Sequence, residues 1–145
     1  MKQQFILKPR LFGWLFLVLS FCSITTELWA QTAKEYYLSG QAKRRQGQYS
    51  AAVAELSRAI SLNATLVQAY ELRGYCYSRL RKHKEALKDY NKAISMGYES
   101  AMLYLNRGWA HYNLKEKVSA CYDWEKANLL GYKKADQLLK KYCGF

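Results

Sequence analysis

The chain repeats one sequence pattern three times, with a period of 34 residues and without insertion or deletion. The segment YELRGYCYSRL, which begins at Tyr70, returns as YLNRGWAHYNL, which begins at Tyr104. The three registers cover residues 33–66, 67–100 and 101–134. A fixed period of this length indicates a repeat architecture, in which each unit is one supersecondary element and neighbouring units stack on each other.

Small and large residues hold fixed places within each register. Position 8 is glycine, and positions 20 and 27 are alanine, in all three registers: Gly40, Gly74, Gly108, Ala52, Ala86, Ala120, Ala59, Ala93 and Ala127. Large residues stand at positions 4 and 24: Tyr36, Tyr70, Tyr104, Leu56, Tyr90 and Trp124. Their spacing predicts two amphipathic helices per register, which approach closely at the small residues. Gly97 and Gly131 are predicted to end second helices.

This pattern resembles the tetratricopeptide repeat family over residues 33–134. The resemblance implies an all-α fold, an α-solenoid of three antiparallel helix hairpins in a right-handed superhelix, which typically acts as a binding scaffold. The family's usual proline at position 32 is replaced here by Ala64, Tyr98 and Tyr132. Because a stack of hairpins must end in a polar face, we expect residues 135–145 to form a C-terminal capping helix.

Residues 1–30 differ in composition from the repeats. Lys2, Lys8 and Arg10 precede an apolar run over residues 11–24, and a small residue, Ala30, follows. This order predicts a secretory signal peptide that is cleaved after Ala30. Two alternatives stay open: the run is retained as a membrane anchor, or Cys22 is lipidated as in bacterial lipoproteins. All three predict an exported protein, periplasmic or secreted or membrane-anchored, in a bacterial envelope.

Three cysteines follow the N-terminal segment. Cys121 and Cys143 are equidistant from the turn around residue 132, so they face each other in an antiparallel helix pair. In an oxidising compartment they are a candidate disulfide; the alternative is two small buried thiols. Cys76 is predicted to be a buried, unpaired core residue. No C-x-x-C spacing exists, so no zinc site is expected.

No catalytic constellation is recognisable in the sequence. His83 lies in a basic run, and His111 stands at a packing position of the family. Glu85 and Asp89 lie four residues apart among lysines, which predicts surface ion pairs. We therefore expect no enzyme activity, no cofactor and no metal.

The resemblance also implies a binding surface, because the first helices of such repeats line a concave groove. The residues at the positions that project into it are Lys34, Tyr37, Gln41, Arg44, Arg45, Gln68, Glu71, Tyr75, Ser78, Arg79, Met102, Leu105, Trp109, Tyr112 and Asn113. This groove is cationic at its N-terminal end and apolar at its C-terminal end. The expected partner is a protein or peptide with acidic and hydrophobic parts. As an alternative, Met102 and Leu105 pack against the cap or a neighbouring chain.

One subclass of the family clamps the C-terminal carboxylate of chaperone tails with Lys and Asn side chains. The corresponding positions here are Tyr37 and Gln41, so that clamp is not expected. The net charge of +12 leaves a second function open, binding of an anionic envelope polymer or of lipid headgroups. Self-assembly through the ends of the stack or the tyrosine-rich surface is a third. Export argues against nucleic acid, and membrane contact is expected only through the N-terminal segment.

Overall fold

Pairs of helices joined by short turns follow one another along the chain. The structure, a computed structural model, describes residues 31–144. Within these residues, α1 covers 31–45. The helices that follow are α2 (Tyr49–Leu62), α3 (Val67–Arg79), α4 (His83–Ser95), α5 (Ala101–Asn113), α6 (Lys117–Leu129) and α7 (Ala135–Leu138). The chain then ends in a π-helical turn, Leu139–Cys143. The predicted signal peptide and both of its alternatives lie outside the described residues.

The described residues form helices joined by turns and short irregular connections, with no strand among them, so the predicted all-α class is confirmed. Helix α3 packs on α4 and α5 on α6 as hairpins, while α2–α3 and α4–α5 contacts join one hairpin to the next. Among residues 31–144, no helix has the length and apolar character needed to cross a bilayer.

The repeated spacing of glycine and alanine in the three registers sets how closely the two helices of each hairpin approach each other. The alanines at positions 20 and 27 are fully buried. A Cβ atom at Gly40 would lie 2.7 Å from Leu56 Cγ, one at Gly74 2.9 Å from Tyr90 Cε1, and one at Gly108 2.6 Å from Trp124 Cδ1. These separations are shorter than carbon–carbon contact, so only glycine lets the large residue of the second helix fill the space.

The turns inside the hairpins share one backbone conformation. The residue at position 15 has a positive φ in every register: Gly47 at 75°, Arg81 at 61° and Lys115 at 68°. Glycine adopts this left-handed conformation freely, whereas each of the two charged residues is strained by about 1–2 kcal/mol. After α4 and α6 the chain turns at Gly97 and Gly131, which also have positive φ, as the sequence predicts.

The C-terminal segment packs against α6 and is tied to it covalently. A disulfide joins Cys121 to Cys143, with their Cα atoms 5.9 Å apart. Ala135 and Leu139 are buried in the same apolar cluster as Trp124. The segment therefore covers the face of the last hairpin that a further repeat would otherwise cover.

Candidate functional site

Helices α3 and α5 border a groove of about 280 Å³ between the second and third hairpins. The residues that line it are Tyr75, Ser78, Arg79, His83, Asn106, Trp109, Ala110 and Asn113. Five of the eight belong to the surface predicted from the sequence. The lining combines aromatic rings, side-chain amides and a guanidinium group, which together can contact an apolar side chain and hydrogen-bond a peptide backbone.

One residue that was predicted to line the groove is buried, and the next residue in sequence lines the groove instead. Leu105 is only 7% exposed and belongs to the apolar cluster that includes the cap residue Leu139. The prediction that Leu105 faces a partner is therefore wrong. Its place in this cluster fits the alternative, in which Leu105 packs against the cap. Asn106 lies in the groove instead. The polarity of the two residues was the signal available in the sequence. The apolar residue of such an adjacent pair turns to the core, and the residue with the amide turns to water.

Trp109 and Tyr112 are less available than the sequence suggests, because they form an aromatic cluster with two further rings. The ring of Trp109 lies 5.0 Å from that of Trp124 and 5.8 Å from that of Tyr142. Tyr112 lies 4.9 Å from Tyr142. The C-terminal turn thus covers part of the apolar end of the predicted groove, and these rings contribute to stability as well as to the lining.

The cationic end of the predicted groove is organised around Tyr75. The guanidinium carbon of Arg44 lies 5.5 Å from the Tyr75 ring centroid, and Arg79 Nη1 donates to the Tyr75 hydroxyl over 3.3 Å. Arg79 also lies 5.0 Å from the ring centroid of Tyr49. The hydrogen bond to Tyr75 raises the pKa of Arg79, so this side chain remains charged.

The other predicted residues divide into exposed and internally engaged side chains. Lys34, Arg45 and Gln68 are exposed, and so is Met102, at 47%. Gln41 accepts a hydrogen bond from Arg45 over 3.3 Å. Tyr37 packs on the apolar cluster that the first hairpin shares with α3.

The carboxylate of Glu71 is hydrogen-bonded within the domain, contrary to its predicted role in the groove. Its carboxylate accepts hydrogen bonds from the hydroxyls of Tyr98, over 2.9 Å, and Ser100, over 3.1 Å. Ser100 Oγ also accepts from the backbone N–H of Leu103 and so caps the start of α5. Glu71 therefore joins α3 to the connection between the second and third hairpins.

The repeated Arg-Gly pair has a role that the sequence analysis missed. Arg73 donates twice to the Asp89 carboxylate, over 2.8 Å each, and once to Ser57 of the preceding hairpin, over 2.9 Å. The hydrogen bond with Asp89 raises the pKa of Arg73. Because Asp89 is buried, the expected surface ion pair with neighbouring lysines is wrong.

The next hairpin repeats this arrangement one period later. Arg107 donates to Asp123 over 2.8 and 2.6 Å, and to Asn91 of the preceding hairpin over 2.8 Å. Burial opposes the charge of Arg107, but the hydrogen bond and charge of Asp123 outweigh it and raise the Arg107 pKa. We call each of these arrangements a rung. The first register has Ser39 and Glu55 at the corresponding positions, so it cannot form one.

Comparisons with known proteins agree with this architecture. A family model described as "TPR repeat" matches residues 40–80, and one described as "Tetratricopeptide repeat" matches residues 67–96. Among curated protein sequences, none matches the chain.

Three similar solved structures are TPR domains. The first TPR of Spaghetti (RPAP3) bound to an HSP90 peptide is 24% identical, with TM-score 0.74, 79% of this chain and 93% of that chain covered. The Arabidopsis OM64 TPR domain is 25% identical, with TM-score 0.73 and coverages of 78% and 98%. The second TPR domain of human RPAP3 in complex with an HSP70 peptide is 26% identical, with TM-score 0.69 and coverages of 81% and 97%.

The hairpins closed by glycine and alanine, the family models that match residues 40–80 and 67–96, and these similar structures agree that the chain contains tetratricopeptide repeats.

Proposed function

We propose that this protein is a non-catalytic scaffold that binds a peptide segment of another protein in the groove between α3 and α5. The observation that carries the proposal is the lining of that groove, in which aromatic rings, amides and Arg79 meet around a space of about 280 Å³. Aromatic and arginine side chains dominate binding energies at protein interfaces. Similar TPR domains have been solved with HSP90 and HSP70 peptides bound, which supports a peptide as the ligand class.

The proposed partner carries an apolar side chain and an acidic group. The apolar side chain would contact the exposed part of Trp109, and the acidic group would lie toward Arg79 and Arg44. The proposal names no chaperone tail, since Tyr37 and Gln41 replace the Lys and Asn of the carboxylate clamp.

A blocking variant tests the groove. We would select peptides from a random display library on the purified domain and measure one labelled peptide by fluorescence anisotropy. Asn113→Trp places a large ring in the groove at the last residue of α5, where the Asn side chain makes only a local bond to the Trp109 carbonyl. We expect it to weaken binding about 10-fold or more, equivalent to about 1.4 kcal/mol.

Ser95→Trp is the matched control, because Ser95 is exposed, ends α4 and also makes a local bond, to the Lys92 carbonyl. It should leave peptide affinity unchanged. Equal affinity of both variants for the peptide, or failure of the library to yield any binder, would overturn the groove proposal. Trp109→Ala is unsuitable as the test, because it also removes ring contacts with Trp124 and Tyr142.

We also propose that the protein works outside the cytoplasm, in the periplasm or as a secreted or membrane-anchored protein. The N-terminal sequence pattern supports this, and so does the disulfide, since such bonds persist in oxidising compartments. Cell fractionation with mass determination of the isolated chain tests the location and the site of cleavage. Recovery of the full-length, unmodified chain from the cytoplasm would refute it.

A second candidate function, self-assembly, is favoured by the outer face of α6. Three apolar side chains stand there in a line: Val118, Tyr122 and Leu129, which are 85%, 61% and 76% exposed. The corresponding residues are Ser50, Ala54 and Ser61 in the first register and Lys84, Lys88 and Ser95 in the second. Helix α6 is therefore apolar on two opposite faces, only one of which is covered within residues 31–144.

The occupant proposed for this line is α6 of a second copy. Spacings of four and seven residues suit a helix–helix seam, and an antiparallel pair would place Val118 of one copy against Leu129 of the other. Sedimentation velocity over a range of concentrations tests this. The triple variant Val118→Lys, Tyr122→Lys, Leu129→Ser, which copies the second register, should be monomeric where the wild type dimerises. A wild type that stays monomeric throughout contradicts self-assembly.

A further inference from the structure

Arg44 and Arg79 lack the acidic partners that Arg58, Arg73 and Arg107 have. Arg73 and Arg107 each form a bidentate pair with a buried aspartate, and Arg58 lies 3.8 Å from Glu55. Within residues 31–144, neither Arg44 nor Arg79 forms an ion pair with an acidic side chain. These two cations are therefore left to be neutralised from outside the domain.

Both arginines are fixed in place by tyrosine rings. Arg44 lies over Tyr75, Arg79 lies over Tyr49, and the two tyrosine rings meet edge to face with centroids 6.3 Å apart. The hydroxyl of Tyr75 accepts from Arg79. Stacking on a ring holds a guanidinium group by its face and leaves the N–H groups at its edge free to donate. The four side chains form one connected group that joins α1, α2 and α3, which we call the Arg–Tyr cluster.

The cluster concentrates positive charge without an internal counter-ion. Arg44 Nε is buried and has no hydrogen-bond partner among the described residues, so its loss of hydration is not offset there. One candidate anion is the thiolate of Cys76, which belongs to the apolar cluster against which Tyr49 and Tyr75 pack. Burial raises the pKa of that thiol to about 11, although the charge of Arg44 acts in the opposite direction. Cys76 is therefore neutral near pH 7 and does not compensate the charge of Arg44.

The cluster opens onto the groove, because Tyr75 and Arg79 belong to both. We propose that Arg44 and Arg79, held by Tyr49 and Tyr75, form an oxyanion pocket that receives a single carboxylate or phosphate side chain of the bound peptide. This inference rests on the proposed peptide-binding function and assigns one subsite of it. Planar guanidinium groups bind carboxylate and phosphate oxygens through paired, charge-assisted hydrogen bonds. Its two arginines are not at the positions compared with the chaperone-tail clamp, which are Tyr37 and Gln41.

A charge-swap experiment on the selected peptides tests the pocket. Each binding peptide is synthesised in three forms that differ at one acidic residue: Glu, Gln and phosphoserine. Affinities are measured for the wild type, Arg44→Gln and Arg79→Gln. We expect each arginine variant to bind the Glu form about 10-fold more weakly or worse, and to bind the Gln form as the wild type does. The phosphoserine form shows whether phosphate binds more tightly than carboxylate in the same pocket.

Arg58→Gln is the matched control. Arg58 also lies over a tyrosine, Tyr36, at 5.6 Å, but it does not line the groove. Its removal lowers the net charge equally and should leave the affinity for the Glu form unchanged, which separates local recognition from general attraction. An equal loss in Arg58→Gln and Arg79→Gln would overturn the pocket, and so would Glu-form peptides that bind Arg79→Gln as tightly as they bind the wild type. In the second case the groove proposal survives, since Asn113→Trp would still weaken binding.

Discussion

Removing the carboxylate of the second rung should destabilise the domain far more than removing a carboxylate whose ion pair is with an exposed arginine. Asp123 is 1% exposed and accepts two hydrogen bonds from Arg107, whose side chain is 15% exposed. Taking away one member of a buried pair costs about 3–5 kcal/mol, because the remaining charge is left without a partner. Arg107 keeps its bond to Asn91 and some contact with water, so we expect about 3 kcal/mol for Asp123→Ala.

The assay is urea unfolding followed by circular dichroism, near neutral pH and with the disulfide intact. A loss of about 3 kcal/mol is a large share of the 5–15 kcal/mol by which domains of this kind are stable. Glu55→Ala is the control, since its contact with Arg58 is 3.8 Å long and Arg58 is exposed; we expect a change below about 0.5 kcal/mol. If the two variants unfold at the same urea concentration, the rung has no special role and the reasoning is refuted.

Three further outcomes follow from the packing. Gly108→Ala should lower stability by about 1–2 kcal/mol, because the clash with Trp124 exceeds the gain in helix propensity; an unchanged urea midpoint would contradict the close approach. Reduction of the Cys121–Cys143 disulfide should cost about 3 kcal/mol in the chain-entropy model, checked by thermal melting with and without reductant. Cys76, with its pKa raised to about 11 by burial, should react with a thiol reagent only after unfolding; rapid labelling of the native protein would show it to be accessible.

The repeat pattern was sufficient to predict the class of fold, because glycine and alanine at fixed spacing specify which helix faces approach. The same spacing predicted the burial of Cys76, which is confirmed. It could not decide between adjacent residues such as Leu105 and Asn106. They differ by only about 100° around a helix, so the exact rotation of α5 determines which one meets the groove.

The rungs were missed for a different reason. Asp89 lies among lysines in sequence, and local charge patterns favour pairs within one helix. The real partner, Arg73, comes from the other helix of the hairpin and reaches back to Ser57 as well. Such contacts depend on the distance between packed helices, which a one-dimensional pattern does not contain. The recurrence of Arg at position 7 together with Asp at position 23 was the available signal.

The side chain that faces the position 8 glycine grows along the chain, from Leu56 to Tyr90 to Trp124. The interior of each hairpin is thereby filled by a side chain of a different size. The helices are consequently not interchangeable between hairpins: joining the first helix of one hairpin to the second helix of another would bring together a glycine and a side chain that were not fitted to each other. Engineering that lengthens this protein should duplicate whole hairpins rather than single helices.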